Sequence, residues 1–137
     1  AKCHITGEKS NRFCHIHQSK EDLMKKQEMT RLLCQRTGGC IQRCMGIDAM
    51  NALSTVTKLI DMQYNTNYNE RFLNYLKYFQ KNDIVGNCAQ TDVKGDRIKR
   101  PHEQEDPDLY LRVVEKRDDG IIVRGAKAHN TIAPYAD

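Results

Sequence analysis

Residues 38–60 read GGCIQRCMGIDAMNALSTVTKLI. Ile41, Met45, Ala49, Leu53, Val56 and Ile60 recur there at three- and four-residue steps, the period of one face of an α-helix. The spacing predicts a helix that starts around Cys40 and fades at Asn65-Thr66-Asn67. Thr37-Gly38-Gly39 separates it from an earlier helix with Ser19 as N-cap and Glu21 and Asp22 in its first turn, where carboxylates complement the helix dipole. Leu23, Gln27, Arg31 and Cys34 lie along one face of that helix, widened by Met29, Leu32 and Leu33. Downstream, Tyr68, Phe72, Leu76 and Phe79 define a third helix, ended by Asn82-Asp83 and Gly86-Asn87. Residues 1–18, with His4, His15 and His17, are polar and without period, which predicts loop.

Beyond residue 83 the pattern changes. Leu109, Leu111 and Val113 alternate with Tyr110, Arg112 and Val114, and Asp119-Gly120 separates two β-branched runs. Residues 109–116 and 121–128 therefore predict a hairpin. The expected class is α+β, with a helical segment over 1–83 followed by the start of an antiparallel β domain over 84–137.

The 137 residues suit one domain, and no apolar run is long enough for a spanning helix. Regularly spaced apolar residues at a net charge of +4 argue against disorder. The basic stretch Lys94, Arg97, Lys99 and Arg100 is interrupted by Asp96, carries no interleaved aromatic residue, and reads as a solvated loop. A nucleic-acid partner is not expected. Six cysteines without an apolar leader pattern point to a reducing cytoplasm, where close cysteines are metal ligands or buried apolar groups. The chain opens on Ala1 and stops at Asp137 within a patterned stretch, which is the expectation for a segment of a longer polypeptide.

The C-x3-C pair Cys40/Cys44 carries the most chemical information. Four residues apart on a helix, two side chains share a face about 5–6 Å apart, so two thiolates could meet one metal centre. Cys40 in the first turn would be favoured as thiolate by the dipole. The same spacing equally suits two cysteines packed as small apolar residues. A zinc ion or iron–sulfur cluster needs four ligands, so this is half a site. Cys34 could add to it or lie in the core, and His4, His15 and His17 could be nitrogen ligands or ordinary loop residues. Gln90-Thr91-Asp92-Val93-Lys94-Gly95-Asp96-Arg97 offers hydroxyl, carboxylate and cation beside a glycine, suited to a polar cofactor or to a surface turn. His129-Asn130-Thr131 brings three hydrogen-bonding side chains to the end of the second strand. No G-x-G-x-x-G, Walker, G-x-S-x-G or H-E-x-x-H motif occurs.

Five stretches together resemble the family of 4-hydroxybutyryl-CoA dehydratases (vinylacetyl-CoA Δ-isomerases), within the 4-hydroxyphenylacetate 3-hydroxylase superfamily. They are NRFCHIHQSKEDLMKK, MTRLLCQRTGGCIQRCMGIDAMNA, YLKYFQKNDI, TDVKGDR and DPDLYLRVVEKRDDGIIVRGAKAH. The resemblance implies an internal, N-terminal portion of an acyl-CoA dehydrogenase-like fold, incomplete here. It also implies a cytoplasmic homotetramer with FAD and a [4Fe–4S] cluster. Cys40 and Cys44 would be two of the cluster ligands, with a His and a Cys outside this sequence completing the set. Arg31, Gln42, Gln90, Thr91, Lys94 and Thr131 would contact FAD or border its site. Two departures from the family pattern stand out: Gln90 replaces a Met in A-M-T-D, and NTIAPYAD follows His129 in place of QTGS.

The implied activity is radical dehydration of 4-hydroxybutyryl-CoA to crotonyl-CoA, with vinylacetyl-CoA isomerisation. The acyl-CoA thioester is the implied partner, and neither nucleic acid nor membrane is. A flavin-dependent aromatic hydroxylase with both cysteines in the core is the alternative. A third reading is an inactive segment serving only binding or assembly.

Overall fold

The computed structural model describes every residue from Ala1 to Asp137. It divides into two compact units, Ala1–Cys88 with Ile132–Asp137, and Ala89–Thr131. Three helices belong to the first unit: α1 (Lys20–Thr37), α2 (Cys44–Tyr64) and α3 (Tyr68–Lys81). The second holds an antiparallel pair, β1 (Arg112–Arg117) and β2 (Gly120–Arg124). The α+β expectation is met.

The caps of α1 are those the sequence predicts. The Ser19 hydroxyl accepts from Asp22 N–H at 3.2 Å, and Gly38 closes the helix in the left-handed conformation (φ 73°), which costs glycine little. Its predicted apolar face is another matter. Lys26 is the buried residue of α1, whereas Leu23, Met24 and Leu32 are exposed. Polar tethers hold this helix: Lys26 pairs with Asp48 of α2, and Asp22 meets Arg12 at 3.4 Å and His15 at 3.1 Å.

The α2 expectation needs two corrections. The helix opens at Cys44, not around Cys40, because Gln42 takes a positive φ of 61° that no α-helical ladder accommodates. Its buried face is also different. Gly46, Ile47, Met50, Ser54 and Thr57 turn inward, while Met45, Leu53 and Val56 of the predicted stripe stay exposed. Apolar residues occupy much of the circumference of α2, so periodicity alone cannot choose the face. Small and hydroxyl residues settle it: Gly46 lets backbone approach backbone at Gly86, and Thr57 satisfies its hydroxyl on Leu53 O at 2.7 Å.

Asp61, near the end of α2, accepts from the N–H groups of Tyr68 and Asn69, both at 2.8 Å, and so caps α3. Phe72, Leu76 and Phe79 of α3 pack with Ile47 and Met50 of α2. Cys14 and Ile16 complete the cluster. The N-terminal stretch is thus core rather than plain loop, with Phe13, Cys14, His15 and Ile16 all buried. A single 3-10 turn, Arg12–Cys14, has no period for a sequence reading to detect.

In the second unit the strands are shorter than expected, and the turn falls at Asp118-Asp119, one residue early, with Arg117 paired to Gly120. A bulge interrupts the ladder between Val113 and Glu115. Two strands cannot bury a face, and Val113, Ile121 and Val123 are exposed. Polar groups set the shape: Asp108 bridges Arg112 at 3.0 Å and Arg124 at 2.7 Å. The buried Gln104 carboxamide accepts from Asp96 N–H (2.9 Å) and donates to Asp96 O (2.8 Å) and Lys99 O (3.1 Å). Lys94, Arg97, Lys99 and Arg100 are all exposed, as a solvated loop requires.

Candidate metal and cofactor residues

The C-x3-C pair sits on a built turn between α1 and α2. Past Gly38, the Thr37 hydroxyl donates to Leu33 O (3.0 Å) or Gly39 O (2.9 Å), tying the end of α1 to the turn. The N–H of Gln42 donates to Cys40 Sγ at 3.4 Å. Arg43 then takes the N-cap position of α2 without a side-chain cap, and Cys44 is the first helical residue. Its thiol is half-buried, and its pKa is pushed up first by burial and then by the adjacent Cys40 thiol. Cys40 itself is exposed.

Two neighbouring thiols, one open to solvent, make a soft donor pair. No third His, Cys, Asp or Glu joins them as a metal set within this chain. The two cysteines stand on a turn rather than at two positions on one helix face. Cys34 is half-buried on α1. Cys14 is fully buried, and burial together with the Asp83 carboxylate pushes its thiol up to about 11. His4 is exposed, His15 is buried and His17 half-buried, the last two with ring centroids 6.5 Å apart.

The residues expected to border FAD fall in both units. Arg31 is exposed on α1, and Gln42 is half-buried at the positive-φ position beside Cys40. Gln90, Thr91, Lys94 and Thr131 belong to the second unit and are exposed. There Thr91 O accepts from Ala128 N–H at 2.8 Å, and Lys127 Nζ reaches Asp92 at 2.6 Å and Gln90 O at 3.3 Å. These bonds bring residues 90–92 alongside 127–128 and leave the Gln90 and Thr91 side chains outward. Arg43, which holds the two-thiol turn to residues forty positions away, was invisible to motif reading because its partners Asp83 and Ile84 are distant in sequence.

A family model described as 4-hydroxyphenylacetate 3-hydroxylase N terminal matches residues 1–137. The chain belongs to that family. Within the 4-hydroxyphenylacetate 3-hydroxylase N-terminal family, one similar protein is the 4-hydroxybutyryl-CoA dehydratase/vinylacetyl-CoA-Delta-isomerase of Clostridium aminobutyricum. The two are 55% identical over 130 residues, which is 95% of this chain and 26% of the relative. Among solved structures, the oxygen-tolerant archaeal 4-hydroxybutyryl-CoA dehydratase from N. maritimus superposes with a TM-score of 0.92 at 48% identity, over 99% of this chain and 27% of that one. The oxygenase component of 4-hydroxyphenylacetate 3-monooxygenase, solved with FAD and 4-hydroxyphenylacetate, superposes with a TM-score of 0.64 at 27% identity, over 89% of this chain and 25% of that one. The chain thus spans about a quarter of the length of these relatives. Its fold is theirs over that quarter, the acyl-CoA dehydrogenase-like architecture that the resemblance implied. No helix is long and apolar enough to cross a membrane.

Proposed function

We propose that this chain is part of a 4-hydroxybutyryl-CoA dehydratase with vinylacetyl-CoA Δ-isomerase activity, acting on an acyl-CoA thioester with FAD and a [4Fe–4S] cluster. The observation that carries this reading is the Cys40/Cys44 pair: two free cysteines, one exposed and one half-buried, on a single turn tied at both ends. The 55% identity to the Clostridium aminobutyricum enzyme supports it. The helical segment over 1–83 would carry the half-site, and 84–137 would border the flavin.

When bound, the flavin supplies one-electron redox chemistry for a substrate whose β-hydrogen no carbonyl acidifies, and the cluster supplies a Lewis-acidic iron for the leaving hydroxyl. Cys40 and Cys44 would hold the cluster from one side as thiolates. Arg31 and Lys94 carry the cationic charge that dinucleotide phosphates require. Gln42, Gln90, Thr91 and Thr131 offer neutral donors and acceptors to orient the cofactor. A cytoplasmic homotetramer is the assembly proposed for the whole polypeptide.

The test is iron, sulfide and FAD analysis of the whole polypeptide purified without oxygen, with and without the double substitution Cys40→Ala and Cys44→Ala. Loss of iron and of 4-hydroxybutyryl-CoA dehydration in the double variant is expected; unchanged iron and turnover would sink the reading. The relation to 4-hydroxyphenylacetate 3-monooxygenase favours a second reading, a flavin-dependent aromatic hydroxylase with both cysteines structural. Oxygen-dependent hydroxylation of a phenol by iron-free protein would establish that one. The 137 residues alone, with only two soft donors paired, are expected to be inactive.

A further inference from the structure

The Thr37 hydroxyl ties the turn that carries Cys40 and Cys44 to α1, but its α2 end has no cap of its own. Gln42 holds a positive φ, α2 has no side-chain N-cap, and Cys40 is exposed. At that end the fastening comes from the residue between Gln42 and Cys44. Arg43 Nη2 donates to Asp83 Oδ1 at 2.6 Å, to Asp83 O at 2.9 Å and to Ile84 O at 3.4 Å. Asp83 is itself held by Asn11 Nδ2 at 3.2 Å, and the guanidinium carbon of Arg43 lies 5.6 Å from the centroid of the buried Phe13 ring. One planar cation thus ties the start of α2 to the segment after α3 and to the N-terminal turn. Three residues on, Gly46 meets the Gly86 backbone, a second close approach to the same segment.

We propose that Arg43 is the positioning residue of the two-thiol site: clamped on Asp83 and Ile84, it sets where Cys44 begins α2 and thereby where its thiol stands relative to that of Cys40. This rests on the reading of Cys40 and Cys44 as ligands, and the test separates the two. All three bonds leave a single nitrogen, Nη2, while the guanidinium plane lies beside the Phe13 ring. Lysine would keep the charge and lose the planar group set against that ring.

The experiment uses the whole polypeptide, purified without oxygen, as parent, Arg43→Lys, Arg43→Ala and Asp83→Asn, each checked for folding by circular dichroism. Metal-free protein is titrated with phenylarsine oxide, whose arsenic forms one bond to each of two nearby thiols while its oxygen leaves as water with the two thiol protons. Cys40→Ser identifies the equivalent bound at this pair. Separation of the thiols lowers their effective concentration toward each other, so Arg43→Ala is expected to weaken that equivalent about tenfold or more. Arg43→Lys and Asp83→Asn should fall between. In metal-loaded protein, the same variants should lose iron and change the electron paramagnetic resonance line shape in the same order. A merely structural arginine would lower the melting temperature and move neither readout. Folded Arg43→Ala with parental arsenical affinity and parental spectrum overturns the proposal. Should Arg43→Ala not fold, folded Asp83→Asn with both readouts at parental values overturns it equally. Iron-free parent protein whose arsenical binding still depends on Arg43 keeps the positioning role and removes the cluster reading.

Discussion

Substituting Gly46 by alanine is a sharp test of how α2 is seated. A methyl there would stand 2.9 Å from both the carbonyl carbon and the Cα of Gly86, and nearer still to the Gly86 carbonyl oxygen. All three are backbone atoms, so no rotamer change relieves the clash. The segment cannot easily retreat either. A Cβ on Gly86 would lie 3.1 Å from the Phe79 ring. Val85 N–H is held by Asp137 Oδ2 at 2.8 Å, and Asp83 and Ile84 are held by Arg43. Two terms oppose each other. Alanine favours a helix over glycine by up to about 1 kcal/mol, less at this first-turn position. Overpacking a tight contact costs about 1–3 kcal/mol, at the upper end where backbone must yield. The net expectation is a loss of roughly 1–2 kcal/mol, seen as a lower urea midpoint at unchanged slope, or as a melting temperature lower by roughly 2–8 °C. Gly39→Ala is the control, since a Cβ there meets nothing within 4 Å and its φ is not positive. That variant should be neutral or slightly stabilising. Gly46→Ala at or above parental stability would show that the approach of α2 to residue 86 is not a tight seat.

Asp22 gives a pH test. The His15 imidazole beside it and the Gln18 N–H hold its carboxyl down at about 2, against an ordinary value of 3.8. Between those values the unfolded chain takes up a proton that the folded chain refuses, so this contribution is present above about pH 4 and is lost as pH falls toward 2. Asp22→Asn should therefore lower the melting temperature at neutral pH and flatten the acid limb of a melting-temperature profile; an unchanged limb would remove Asp22 from the account. Phe79, 2% exposed and central to the cluster of α2 and α3, should cost about 3–5 kcal/mol on truncation to alanine. Chemical denaturation reads that directly, and a loss under about 1 kcal/mol would mean that the site collapses around the smaller residue.

How much of this was legible in the sequence depends on the range of the forces involved. Ser19, Gly38 and three of the four residues of the predicted α3 face, Phe72, Leu76 and Phe79, were readable because capping and period-3.6 burial act within a few residues, whereas Tyr68, at the first turn, is exposed. The buried face of α2 was not readable, since hydrophobicity ranked Met45, Leu53 and Val56 above Gly46, Ser54 and Thr57. What turns inward is decided by how closely another backbone can approach. The C-x3-C motif shows the same division. Its spacing was legible, and Cys40 and Cys44 stand on one turn. The geometry that brings them together is not the helix that four-residue spacing suggests, but a turn with one left-handed residue, closed by an arginine on acceptors forty positions away. If that is how the pair is held, then preserving Cys40 and Cys44 is not sufficient to preserve the site.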